Sequence, residues 1–168
     1  MDKSLPRFSG YLAVVLMVIA VDQGTKQIAF QNLQGTPPID VLPVLQWTLV
    51  ANRGAAFGFL NAAGGSQHYY FSVLAGVVSI VLVIWLWRCF MDNRLLAWSL
   101  VLILAGAVGN LVDRLRYQYV IDFISFHYQH WYFPAFNIAD SAITVGAILF
   151  IADSLGMGRG RPDRTSGD

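Results

Sequence analysis

Four apolar runs, extended by their flanking residues toward membrane-spanning length, leave this chain few folds to choose from. Tyr11 to Val21, His68 to Trp87, Leu95 to Leu111 and Ser141 to Leu155 carry almost no charge. A backbone inside hydrocarbon has no water to bond, so each run must form a helix that satisfies its own N–H and C=O groups. About 20 residues, rising 1.5 Å each, cross the core of a bilayer. Soluble domains carry about 25% charged residues, whereas 12% of these 168 residues are charged and 56% are hydrophobic. The chain is expected to be an all-α integral membrane protein. Residues 1–157 form one domain, and 158–168 form a glycine-rich, arginine-bearing tail expected to be disordered and cytoplasmic.

Four transmembrane helices are expected, over residues 8–30, 68–87, 95–111 and 137–155. Lys3 and Arg7 ahead of the first run resemble the charged start of a secretory signal. No small-x-small cleavage site follows, and Asp22-Gln23-Gly24-Thr25-Lys26 interrupts the run before Ile28-Ala29-Phe30 resumes it, so it reads as an uncleaved helix. Residues 31–67 are too broken by Pro37, Pro38 and Pro43 to span. Val44 to Val50 is rich in β-formers and predicts a small extracytoplasmic sheet on the membrane surface. Val120-Ile121-Asp122-Phe123-Ile124 sets an acid among β-branched and aromatic residues, which predicts a strand or half-buried hairpin carrying Asp122 toward the bilayer.

Basic residues favour the cytoplasmic side. Lys3, Arg7, Arg88, Arg94, Arg159, Arg161 and Arg164 gather at one end of a four-span layout, against Lys26, Arg53, Arg114 and Arg116 at the other. Both termini are therefore expected in the cytoplasm. Asp22 with Lys26, the loop Asn52-Arg53-Gly54, the cluster Asn110-Asp113-Arg114, Asp122, and the pair Asn137 with Asp140 are then expected to meet in the outer leaflet. Taken one at a time each has a plain alternative: a self-neutralising i,i+4 pair, a loop with a turn glycine, an interfacial Asp-Arg cap. Asp153, at the opposite end of the fourth span, is expected to be an interfacial residue only.

Carboxylates in a membrane are costly and mark functional sites. Two aspartates about 3 Å apart do not both ionise easily, so one ionised group can activate water while its protonated neighbour supplies a proton to the departing group. That is peptide-hydrolase chemistry of the aspartic type, with Asn52, Asn110, Asn137 and Arg114 as candidates for holding a substrate backbone and the developing oxyanion. Cys89 is the only cysteine, which excludes a disulfide within the chain. His127 and His130 could join two aspartates around zinc, but loop histidines beside tyrosine and tryptophan are more often interfacial, and no metal is expected. Net charge is +1 with no basic stripe, so a nucleic-acid partner has no electrostatic support.

In order, Asp22-Gln23-Gly24-Thr25-Lys26, Asn52-Arg53-Gly54-Ala55-Ala56-Phe57, Gly109-Asn110-Leu111-Val112-Asp113-Arg114, Val120-Ile121-Asp122-Phe123 and Phe136-Asn137-Ile138-Ala139-Asp140 resemble the five blocks of bacterial lipoprotein signal peptidase, also called signal peptidase II. The resemblance covers about residues 8 to 155. It implies that Asp122 and Asp140 are the catalytic pair of an aspartic endopeptidase. It also implies that Asp22, Lys26, Asn52, Gly54, Asn110, Asp113, Arg114, Asn137 and Ala139 line or brace the pocket. Such an enzyme uses no cofactor and sits in the bacterial cytoplasmic (inner) membrane with its site toward the periplasmic face. It removes the signal peptide of a prolipoprotein just before a cysteine carrying a diacylglyceryl group, among membrane lipids, and is the target of the cyclic peptide antibiotic globomycin. A surface sheet and a short helix over Val44 to Leu60 are implied to clamp the substrate. Composition and spacing by themselves do not reveal the lipid.

Two rival classes make different expectations. A proton-coupled carrier would set its acids near the midplane and show an internal repeat. A structural subunit would leave the gathering of acids at one end without a purpose.

Overall fold

The computed structural model describes residues 4–54 and 67–157 of the chain. The short helix expected in the first outer loop falls largely on residues outside these, as does the tail from 158 onward. The elements run α1 (Ser4–Leu33), β1 (Ile39–Leu42), β2 (Leu45–Asn52), α2 (Gln67–Cys89), α3 (Arg94–Tyr117), β3 (Val120–Tyr128), β4 (Trp131–Tyr132) and α4 (Ile138–Ser154). Stretches within three of the helices, Arg7–Leu33, His68–Cys89 and Arg94–Tyr117, are long and apolar enough to cross a membrane. Val73, Val77, Ile80 and Ile84 of α2 are exposed, as befits a helix surrounded by hydrocarbon rather than water. The protein is a multi-pass membrane protein, mostly helical, with a small antiparallel sheet.

α3 is the central helix. Its Ala97, Leu100, Val101 and Leu104 pack with Tyr11 and Val15 of α1 and Leu82 and Leu86 of α2. Toward α4 the contact is made by small residues, as expected where helices associate without a hydrophobic drive from water. A methyl group on Gly106 would run into the carbonyl oxygen of Ala139, and one on Gly146 would lie 2.8 Å from the carbonyl oxygen of Ser99. Asn93 caps α3, its side chain accepting from Leu96 N at 3.0 Å. Its Nδ2 also donates to Asp153 at 2.8 Å. Asp153 is therefore buried and joins the end of α4 to the start of α3, a packing role rather than an interfacial one.

α3 continues six residues past the expected end at Leu111 because its polar last turns find partners inside the protein. It stops at Gln118, whose left-handed backbone lets its N–H reach the carbonyl of Arg114. β3 follows at once, and the sheet has the order β1-β2-β3-β4. The strand expected over Val44 to Val50 is β2, joined by an exposed edge strand, β1, on the far side of Pro43. β2 and β3 pair with Val50 opposite Asp122 and Asn52 opposite Val120. The inner half of β3 is buried: Phe123 packs on Ala29 and Leu33 of α1. Three backbone bonds tie β3 to the entrance of α4: Phe136 O accepts from Phe123 N at 3.1 Å and from Ile124 N at 3.0 Å, and Phe136 N donates to Ile124 O at 2.9 Å. They bring Asp122 alongside the residues that begin α4.

Candidate active site

Five segments meet at one end of the helices, and each contributes a polar side chain that is held from more than one side. From α1, Asp22 and Lys26 are both almost wholly buried. Lys26 Nζ has three donors, and each finds an acceptor: Asp22 Oδ2 at 2.9 Å, Asp113 Oδ2 at 2.9 Å and Asn110 Oδ1 at 3.0 Å. The i,i+4 pair read from the sequence exists, but half of the lysine's charge compensation comes from α3. Asp22 uses its other oxygen to accept from the backbone N of Ala139 at 2.9 Å. Asp113 accepts from the backbone N of Ile121 at 3.1 Å and from Gln23 Nε2 at 2.8 Å. These two acids are consumed in fastening α1, α3, β3 and α4 together.

Asp122 and Asp140 are held differently. Asp122, on β3, accepts from Asn52 Nδ2 at 2.8 Å and from Asn137 Nδ2 at 2.7 Å. Asp140, in the first turn of α4, accepts from Asn110 Nδ2 at 2.7 Å and from the backbone N of Asn137 at 3.3 Å. Among the described residues neither carboxylate forms an ion pair. Asn137 serves both, because it caps α4: its Oδ1 accepts from Asp140 N at 2.9 Å while Asp140 answers the Asn137 backbone N–H. Burial pushes the Asp122 carboxyl up to about 6. The Asn52 and Asn137 bonds and the charge of Lys26 pull the other way, and the neighbouring Asp140 charge adds to the rise.

The remaining sequence candidates have distinct places. Asn52 Oδ1 accepts from Gly54 N at 2.9 Å, so the turn that follows β2 aims its amide at Asp122. Gly54 has a left-handed backbone, and a methyl group there would strike the Phe71 ring at 2.6 Å. Arg114 lies at the rim, donating to the carbonyl of Asn110 at 3.2 Å with its guanidinium 5.7 Å from the centre of the Phe71 ring. Ala139 is fully buried. Its methyl faces Gly109, where an added Cβ would also come within 2.7 Å of Asp22 Oδ2. His127 lies five residues along β3 from Asp122, about 17 Å for an extended chain, and its Nε2 is 3.4 Å from Asp40.

Sequence reasoning missed Gln23, Gly109 and Phe71. Gln23 and Gly109 sit inside two of the quoted blocks, and a glutamine beside a buried aspartate was the available signal for the first. Phe71 is one aromatic among three at the start of α2, and nothing in that run sets it apart.

Comparison with known proteins shows the family of the chain. Residues 14–156 match the model of the family described as signal peptidase (SPase) II. The lipoprotein signal peptidase of Acinetobacter baylyi is 49% identical over 154 residues, spanning 92% of this chain and 86% of that protein. That of Pseudomonas fluorescens is 50% identical over 146 residues, 86% of each chain. A bacterial membrane enzyme solved by the in meso method at 2.3 Å resolution superposes with a TM-score of 0.76 at 29% identity, covering 95% of both chains.

Proposed function

Since the chain belongs to the signal peptidase II family, we propose that it cleaves signal peptides from prolipoproteins by an aspartic mechanism in which Asp122 and Asp140 share one proton. The observation that carries this reading is the division of the four gathered acids. Asp22 and Asp113 share ion pairs with Lys26, whereas Asp122 and Asp140 form no ion pair among the described residues, hydrogen-bond to neutral amides and keep their proton chemistry available.

In the proposed reaction a water lies between the two carboxyl groups. The ionised one takes a proton from the water as its oxygen attacks the scissile carbonyl carbon, and the protonated one gives its proton to the carbonyl oxygen. Collapse of the tetrahedral intermediate breaks the C–N bond: the amine leaves with the proton taken from the water, and one diol hydroxyl gives its proton back to the other carboxylate as the acid product forms, restoring the starting distribution. Asn52, Asn110 and Asn137 hold the carboxylates in register, and Arg114 at the rim is the candidate for orienting the substrate backbone. No metal or nucleotide enters any step.

We place α4 as a fourth span. Its 17 residues reach about 26 Å, and Val145, Ile148 and Ile151 are exposed along it. With four spans and most basic residues at the opposite end, both termini lie in the cytoplasm of a bacterium and the carboxylates lie beneath the outer surface of its inner membrane. A signal peptide's apolar segment sits in the bilayer with its cut site near that surface, where the carboxylates wait. The sheet β1-β2-β3 beside Asp122 guides the segment, and the substrate's residue after the cut is a cysteine carrying diacylglyceryl.

Purified protein tests this with two peptides of one prolipoprotein, with and without the diacylglyceryl group, in detergent containing a chelator. Cleavage of the lipidated peptide before the cysteine, blocked by globomycin, is expected. Loss of activity with the chelator, or equal turnover of both peptides, would contradict the reading.

A further inference from the structure

The end of the molecule opposite the carboxylates holds a polar feature that peptide hydrolysis does not use. Arg7 of α1 and Arg94 of α3 flank a wide-mouthed surface cavity of about 410 Å³, lined also by Gly10, Tyr11 and Trp98. Arg7 lies about 22 Å along α1 from Asp22, and Arg94 about 24 Å along α3 from Asn110, so the cavity sits near the far edge of a bilayer core.

Neither guanidinium has an acidic partner among the described residues. Arg7 makes a weak contact from Nη1 to the sulfur of Met91 at 4.0 Å, and among the described residues its other N–H groups have no further side-chain bond. Asp153 is taken by Asn93, and Asp92 is exposed and forms no ion pair among the described residues. Two guanidinium forks over one cavity suit a phosphate, whose oxygens they can bind in pairs. The walls add a second requirement. Tyr11 and Trp98 meet edge to face with ring centres 5.2 Å apart; Tyr11 is buried while Trp98 is 41% exposed. Amphipathic rings of this kind sit at the level of lipid headgroups. Gly10 has nothing within 4 Å of its missing side chain, so the floor between the helices is open.

We propose that this cavity binds the phosphate group of an anionic phospholipid in the leaflet opposite the carboxylate cluster. Soluble phosphate would engage the two arginines alone. A phospholipid engages them and also lays its glycerol and upper chains against the Tyr11–Trp98 wall, as basic pockets between transmembrane helices do for acidic headgroups.

Native mass spectrometry and thermal unfolding of the full chain in neutral detergent test this with phosphatidylglycerol, phosphatidylcholine and inorganic phosphate at matched concentrations. Phosphatidylglycerol is expected to bind and raise the Tm, and the other two to do so about tenfold more weakly. The pair Arg7→Gln with Arg94→Gln should lower phosphatidylglycerol affinity about thirtyfold. The pair Arg7→Lys with Arg94→Lys should retain most of it, and both pairs should cleave substrate in detergent at the wild-type rate. Equal binding of phosphatidylcholine, an equal shift with inorganic phosphate, or a glutamine pair that binds like the wild type would overturn the assignment. If the glutamine pair does not fold, the selectivity of the wild-type chain decides the question.

Discussion

Asn137 donates its side-chain amide to Asp122 at 2.7 Å while its own backbone N–H donates to Asp140 at 3.3 Å, so one buried residue fixes the spacing of two carboxylates that are 18 positions apart in the chain. The arrangement follows from helix capping. An asparagine before the first turn of α4 turns its oxygen to the backbone, and its Nδ2 is then left to face β3. Asn137→Ala removes the helix cap and the bond to Asp122 and leaves only the backbone N–H to Asp140. It should cost about 1 to 2 kcal/mol of stability and lower kcat about a hundredfold, the penalty of misplaced reacting groups. Unfolding in detergent and turnover of a lipidated peptide measure the two effects separately. Wild-type kcat in the variant would show that the carboxylates hold their places without it.

Lys26 is expected to matter for folding before it matters for catalysis. Its removal leaves Asp22 and Asp113 buried without a cation, and breaking a buried pair by deleting one partner costs about 3 to 5 kcal/mol. Lys26→Met should therefore unfold at a much lower temperature than the wild type. Adding Asp22→Asn to it should recover part of the loss, because one uncompensated charge is then removed. A Lys26→Met protein with unchanged Tm would mean that water, rather than the lysine, satisfies the two acids.

The titration of Asp122 sets a pH dependence of stability. Its carboxyl is raised from an ordinary 3.8 to about 6, so between about pH 4 and pH 6 the folded state binds more protons than the unfolded state. Stability from this group is full below the lower value and is lost as the pH rises through the upper one. Asp122→Asn, which has the same shape and cannot ionise, should flatten that slope and unfold at a higher temperature than the wild type above pH 6. Parallel curves for the two proteins from pH 4 to pH 7 would show that Asp122 titrates as an ordinary aspartate.

The seam between α3 and α4 tolerates no added volume. Gly106→Ala places a methyl group against the Ala139 carbonyl and the Ile143 side chain. Since Ala139 N is bonded to Asp22, parting the helices disturbs the brace of the site. A loss of about 1 to 3 kcal/mol is expected, with kcat falling more than KM rises. Unfolding and steady-state kinetics on one preparation check it; an unaffected Tm would mean that α4 shifts freely.

Much of this was legible from the residues because the physics is local or forced. An acid among Val120, Ile121, Phe123 and Ile124 has few settings other than a buried strand, and β3 is one. The gathering of Asp22, Asn52, Asn110, Asp122 and Asn137 at one end follows from apolar run lengths alone. The partners were less legible. Lys26 reads as paired with Asp22 at i,i+4, and nothing along α1 announces Asp113, which reaches it by helix packing. Asp153 reads as interfacial until Asn93, 60 residues earlier, is seen to cap one helix and bind another. Phe71 acquires its role from a missing Cβ at Gly54 and a guanidinium from α3, neither of which has a trace in its own neighbourhood.

Turnover of a diacylglyceryl prolipoprotein peptide by purified Asp122→Asn and Asp140→Asn variants, each verified as folded by its unfolding transition, tests the shared-proton account most directly. Each variant is expected to lose at least about a thousandfold in kcat, with the double variant scarcely worse than either single one because the two groups act as a unit. A folded variant of either kind that cleaves the peptide at the wild-type rate would contradict it.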